Sequence, residues 1–230
     1  MTKESGRDCT ESNLSESWVT MGDIVVIGGG GHARVVIGIL KKLKTYRIVG
    51  YTDLKDCGTL LEVPYLGSDT TLESLAARSR MLNAVLAVGQ IGLGHVRAEL
   101  WGRLQSFGLQ FPLIASPGAI VNEGVSGGEG SVVMDGAVVN VGARLGQGAI
   151  VNTNSTVEHD VFLDDWVHVA PGATISGGVT IGQFSMIGAG ATVIEGVEIA
   201  AGCIVGAGAT VVRNLKESGT YAGCPARRIK

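Results

Sequence analysis

Residues 133–151, Val133-Met134-Asp135-Gly136-Ala137-Val138-Val139-Asn140-Val141-Gly142-Ala143-Arg144-Leu145-Gly146-Gln147-Gly148-Ala149-Ile150-Val151, decide the fold of this chain. An aliphatic residue returns every six positions. Stepping on from Val133 gives Val139, Leu145, Val151, Val157, Leu163, Val169, Ile175, Ile181, Ile187, Val193, Ile199, Val205 and Val211 without a break. At about one aliphatic residue in three, such a run arises by chance on the order of once in a million. Glycine mostly stands three positions after each of these residues, as at Gly136, Gly142 and Gly148, and a small residue stands four after, as at Ala137, Ala143 and Ala149. The aliphatic side chain points into a shared core, the small residue lets a corner close, and glycine takes the positive φ of a tight turn. A six-residue period fits neither an amphipathic helix nor a coiled coil. It is the hexapeptide β-helix repeat, whose coils must stack to bury a core. The repeat is expected to begin near Ile114 and Ile120, with residues 124–130 as a loop interrupting it.

The glycine slot is broken in four repeats, by Asn154, Asp160, Trp166 and Phe184. Departures from local consistency tend to mark function. The stretch from Asn152 to His168 also holds His159, Glu158, Asp160, Asp164 and Asp165. A histidine beside carboxylates can be oriented and made more basic, as a general base must be. The competing readings are a polar residue on a solvated face and a zinc site, the latter short of a third histidine. Basic residues gather after Val212, at Arg213, Lys216, Arg227, Arg228 and Lys230. Beside them lie smooth coil surfaces, Gly188-Ala189-Gly190-Ala191 and Gly206-Ala207-Gly208-Ala209. Such a face suits the slender arm and phosphates of a long anionic cofactor; the basic run can equally be a solubilising end.

Upstream, Asp23-Ile24-Val25-Val26-Ile27 reads as a buried parallel strand, followed at once by Gly28-Gly29-Gly30-Gly31-His32 and a helix from Ala33 to Lys44. Strand, glycine loop and helix form the first unit of a nucleotide-binding α/β fold, in which backbone N–H groups and a helix N-terminus meet a phosphate. A second strand, Arg47 to Tyr51, ends at Thr52-Asp53, where such folds meet a ribose or base. A third, Ala84 to Val88, runs into Gly89-Gln90 and then a helix with His95, Arg97 and Trp101. The loop is not a clean GxGxxG, so its glycines can also serve only a tight turn, and His32 can cap the helix.

The formal charge of −3 gives no sign of nucleic acid or a membrane surface as partner. Glycine is abundant, 36 residues of 230, yet Val, Ile and Ala supply ample apolar surface, so the chain is not disordered. Cys9, Cys57, Cys203 and Cys224 form no CxxC pair, which fits a reducing cytoplasm and neither a disulfide framework nor a metal. No apolar run spans a membrane. Residues 1–20 read as a flexible tail without a signal-peptide core, with Met21 as an alternative start.

Together the glycine loop with His32, Thr52-Asp53, Val88-Gly89-Gln90, Asn152 to Asp160 and Gly223-Cys224-Pro225-Ala226-Arg227 resemble bacterial nucleotide-sugar acetyltransferases of the hexapeptide-repeat superfamily. They are similar to the UDP-4-amino-sugar and perosamine N-acetyltransferases and to the sialic acid O-acetyltransferases. The resemblance implies a Rossmann-like α/β domain over residues 21–112, an all-β left-handed parallel β-helix over 113–212, a CoA-proximal segment over 213–230, and a homotrimer. It implies acetyl-CoA as co-substrate, no metal, and a nucleotide-linked amino sugar, UDP foremost, as acceptor. His159 is similar to the family's catalytic base and Asp160 to its acidic partner. His168, Gly188, Ala189, Gly206, Ala207 and Arg227 fall where acetyl-CoA is held. Gly29, Gly30, Gly31, His32, Asp53 and Gly89 fall where the nucleotide sugar is held. Thr52-Asp53 replaces the two aspartates of some relatives, which leaves the base open, and N- against O-acetylation stays open too.

Overall fold

The computed structural model describes residues 22–78 and 81–230. The tail and the alternative start at Met21 lie outside the described residues. The first domain is a three-stranded parallel sheet in the order β2-β1-β3, with β1 at Gly22–Ile27, β2 at Tyr46–Thr52 and β3 at Asn83–Leu86. Helix α1, Gly31–Leu43, connects β1 to β2; α2, Thr70–Arg78, precedes β3 and α3, His95–Gln105, follows it. Ile24 to Ile27 are buried, as an aliphatic run covered on both faces must be. The α1 stripe of Val36, Ile37, Ile39 and Leu40 is buried, and Lys41 and Lys42 sit in its last turn, where cations favour the helix dipole.

From Ile114 onward the chain winds through short strands, mostly of two residues, on three faces. Thr156–Val157 pairs in parallel with Val138–Val139 below and Thr174–Ile175 above, so one coil takes 18 residues, three hexads. The first face carries strands such as Ile150–Val151, His168–Val169 and Met186–Ile187; the second carries Thr156–Val157; the third carries Phe162–Leu163. The solenoid is a left-handed parallel β-helix of about six turns. Every aliphatic residue of the run from Val133 to Val211 lies in one buried core. Each such burial stabilises by roughly 1.5–3 kcal/mol, but only when a neighbouring coil supplies the other wall.

Residues 124–130 do not interrupt the helix. Ser126–Gly127 forms a third-face strand paired with Arg144–Leu145, and Gly124 and Gly130 hold the corner conformation at φ +79° and +63°. The hexad is complete, but glycine occupies the aliphatic position at Gly127, so the period vanishes from the sequence.

Asn154, Asp160, Trp166 and Phe184 all keep the left-handed corner, with φ between 55° and 64°. That conformation costs a non-glycine residue about 1 kcal/mol or more. Asn and Asp tolerate it best. Trp166, buried, and Phe184, half-buried, recover the cost by packing: both stand on the corner between third and first faces, where the α/β domain docks. Trp166 packs edge-on against Trp101 of α3 with ring centroids 5.5 Å apart, and Phe184 meets His95 at 4.4 Å. His95 is exposed and stacks on Phe184, and it does not cap α3, whose N-cap is Gly94.

Candidate active site

His159 and Asp160 occupy the turn from second to third face. Asp160 Oδ2 lies 3.0 Å from His159 Nδ1, so Nδ1 carries the proton and Nε2 presents a lone pair. The left-handed φ of Asp160 turns its carboxylate back toward the preceding ring. The hydrogen bond to Asp160 holds the imidazole pKa above its ordinary value; Glu158 and Glu195 add to this, while slight desolvation opposes it. A ladder of side chains anchors the corner from below: Asn122 donates to Asn140 at 2.8 Å, and Asn140 donates to Glu158 at 2.9 Å. Sequence reasoning missed Gly177, one coil above. A Cβ there would stand 2.5 Å from His159 Nε2. The signal was available, because Gly177 falls outside the periodic glycine slot at Gly178.

The glycine loop closes over the ends of β1 and β2. Gly29 N–H donates to Asp53 Oδ2 at 2.6 Å, and Lys55 N–H donates to Oδ1 at 3.2 Å. A side chain on Gly29 would collide with Tyr51, Asp53 and Cys57. Gly30 is the N-cap of α1 and Gly31 its first residue, both with open space where a Cβ would be. His32 makes no capping bond; its ring is buried against Gly89, and its Nε2 has no partner among the described residues. Burial, then Arg97 and His168, push the His32 pKa down to about 4. Residues from Gly28 to His32, with Asp53 and Gly89, line a hollow of about 320 Å³. It shares Gly28, Asp53 and Val88 with a cleft of about 810 Å³ that runs to α3.

Beneath this loop a polar network ties the two domains. His168 is 6 % exposed on the first face. Its Nδ1 faces the Gln90 carbonyl at 3.0 Å and its Nε2 faces Asn152 Nδ2 at 3.0 Å, so the Nδ1–H tautomer donates to the former and accepts from the latter. Burial holds it neutral, with a pKa of about 4. Arg97, 1 % exposed, donates to the Gly148 carbonyl at 2.6 Å and lies over the Trp166 ring at 5.5 Å.

Within one chain these groups are not gathered at one point. Gly188, Ala189, Gly206 and Ala207 turn the corner from first to second face, the next corner round from His159. Gly188 has a structural reason of its own: a Cβ would lie 2.6 Å from Val205 O and Ala207 N. Arg227 lines a small basic hollow with Arg213, Lys216 and Arg228 at the end of the solenoid. Among the described residues Cys57, Cys203 and Cys224 are free thiols, no cluster of three metal-ligating side chains occurs, and no helix is long and apolar enough to cross a membrane.

A stacked hexapeptide solenoid carrying a docked glycine-loop α/β domain, with a histidine–carboxylate pair on one corner, defines a β-helix acyltransferase. Residues 23–101 match the PglD N-terminal domain family, and residues 178–213 match the bacterial transferase hexapeptide (six repeats) family. The acetyltransferase domain of PglB from Neisseria gonorrhoeae, solved with acetyl coenzyme A, is 36% identical with a TM-score of 0.84, over 90% of this chain and 98% of that one. PerB from Caulobacter crescentus, solved with CoA and GDP-perosamine, is 36% identical with a TM-score of 0.84, over 91% of this chain and 98% of that one. WeeI from Acinetobacter baumannii is 26% identical with a TM-score of 0.80, over 90% and 99%. No curated protein sequence matches the chain. The chain belongs to the hexapeptide-repeat sugar acetyltransferases, and it is an acyltransferase enzyme.

Proposed function

We propose that the protein transfers an acetyl group from acetyl-CoA to the amine of a nucleotide-linked 4-amino-4,6-dideoxy sugar, with His159 as general base. The observation that carries the reading is the His159–Asp160 pair, with Nδ1 tied at 3.0 Å and Nε2 without a partner among the described residues. The sugar nitrogen attacks the thioester carbon, the C–S bond breaks, and the amine proton passes to His159 Nε2 and on to the departing CoA thiolate. Asp160 orients the ring and offsets the charge of the imidazolium. Relatives solved in complex with acetyl coenzyme A and with CoA and GDP-perosamine support donor and acceptor class.

The reading places the reaction between copies of the chain, as a homotrimer. The α/β domain, His168 and the Gly188-Ala189 turn lie toward the first face, whereas His159 stands on another corner. Val141, Phe162, Ile194 and Val212 flank that corner and are exposed. Burying them against a neighbour would bring its first face to His159, and the Gly188-Ala189 and Gly206-Ala207 turns with Arg227 would then hold acetyl-CoA. His168 serves that site by fixing Gln90 and Asn152, since both its nitrogens are engaged. Such an enzyme works in the cytoplasm, where acetyl-CoA is made.

The test is CoA release with UDP-, GDP- and dTDP-linked 4-amino-6-deoxy sugars and free sialic acid, comparing the wild type with His159→Ala. Turnover with a nucleotide amino sugar that falls by 10²-fold or more, on the order expected for a lost general base, supports the reading. Turnover with sialic acid alone makes the enzyme an O-acetyltransferase. Undiminished turnover in His159→Ala removes the base assignment.

A further inference from the structure

Resting on the nucleotide-sugar reading, we infer that the cleft beside the glycine loop is cut for guanine, read by Glu99 and Arg103. The glycine loop and the N-terminus of α1 offer backbone N–H groups to a diphosphate. The adjoining cleft, about 810 Å³, then receives the base. Its walls are apolar, with Ile27 and Val88 from the strand ends and Val96 and Leu100 from α3, as a flat ring requires.

The polar groups of the cleft are unequal. Asp53 is committed to the amides of Gly29 and Lys55. Asp69 accepts from Thr52 Oγ1 at 3.0 Å and holds Arg103 at 3.8 Å. Glu99 lines the same cleft, is exposed, and has no partner among the described residues. Glu99 and Arg103 are four residues apart on α3, so they share a face about 5–6 Å apart, comparable to the breadth of a purine.

Guanine alone among the common bases matches this pair. Its N1–H and N2–H groups point the same way and satisfy one carboxylate bidentately, while O6 and N7 suit an arginine fork. Uracil and thymine offer a single N3–H between two carbonyl oxygens, which a carboxylate repels. Adenine sets an acceptor beside its amino group. On this inference GDP is favoured over the UDP expected from the family resemblance.

Calorimetric titration of the full-length protein with GDP, UDP and dTDP tests this. GDP is expected to bind tightest, and Glu99→Gln to weaken GDP about tenfold while changing UDP less than about twofold, the scale of one bidentate contact. Arg103→Met is expected to act in the same selective way. Both side chains are exposed on a helix surface, so a thermal melt serves to show that the variants remain folded. Tighter binding of UDP or dTDP, or equal weakening of all three in Glu99→Gln, overturns the guanine assignment and leaves the nucleotide reading standing. Binding of no nucleoside diphosphate overturns the nucleotide reading itself.

Discussion

The imidazole of His159 rests on Gly177: a Cβ at Gly177 would meet Nε2 at 2.5 Å and Cε1 at 2.6 Å. Gly177 has no positive φ, so alanine there is compatible with the backbone and changes only the space beside the ring. Gly177→Ala is expected to leave the melting temperature within a few degrees and to cut kcat on the order of 100-fold, the cost of a displaced catalytic group. Steady-state kinetics beside a thermal melt check it. Unchanged kcat would mean that the ring position is not needed.

Asp160 raises the pKa of His159 above 6.5, and a general base works only when deprotonated. The kcat/KM profile is therefore expected to rise with pH through an inflection above 6.5. In Asp160→Asn that inflection should move toward acid, because the raising partner is gone, while the plateau falls. Profiles of both proteins between pH 5.5 and 9 decide it; an inflection that does not move excludes the coupling.

Arg97 carries a buried charge with no carboxylate partner among the described residues. Burial lowers its pKa to about 10, so it is still protonated at neutral pH, held by the Gly148 carbonyl and the Trp166 ring. Removing it orphans a buried carbonyl and loosens the α/β domain on the solenoid. Arg97→Ala is expected to cost about 2–4 kcal/mol, read from the first transition in urea unfolding. Proteolysis should then release the α/β domain while the solenoid survives. Wild-type resistance in the variant would count against Arg97 as the pin.

His32, half-buried with its Nε2 shut off from solvent, and His168, buried, are held neutral, with pKa values of about 4 against 6.5 when unfolded. Their folded-state pKa is depressed, so the unfolded chain binds protons first as pH falls. The stability they permit is intact above pH 6.5, declines below it, and is lost by about pH 4. An upper bound is about 3 kcal/mol for each histidine. Urea midpoints at pH 7.5 and 5 measure it, and His168→Asn should flatten part of the slope.

Much of the solenoid was legible because its rule is local. An aliphatic residue and a corner glycine repeat within six positions, and each satisfies its own turn, so reading needs no distant partner. The rule failed at 124–130 for the same reason: Gly127 carries no side chain to announce the strand it forms. The broken glycine slots were visible too, but their meanings were not. Asp160 turns a carboxylate onto His159, whereas Trp166 and Phe184 dock α3, and both uses look alike in a sequence.

The sequence by itself determined the two kinds of element and the presence of a histidine–carboxylate pair, since period and adjacency are written along the chain. Only the tertiary structure decided that Gly177 seats His159, that His168 is locked between Gln90 and Asn152, and that the glycine loop and the His159–Asp160 pair lie toward different faces of the prism. Gln90 and His168 are 78 residues apart, and a contact across that distance follows from how coils stack and domains dock, which no local periodicity encodes.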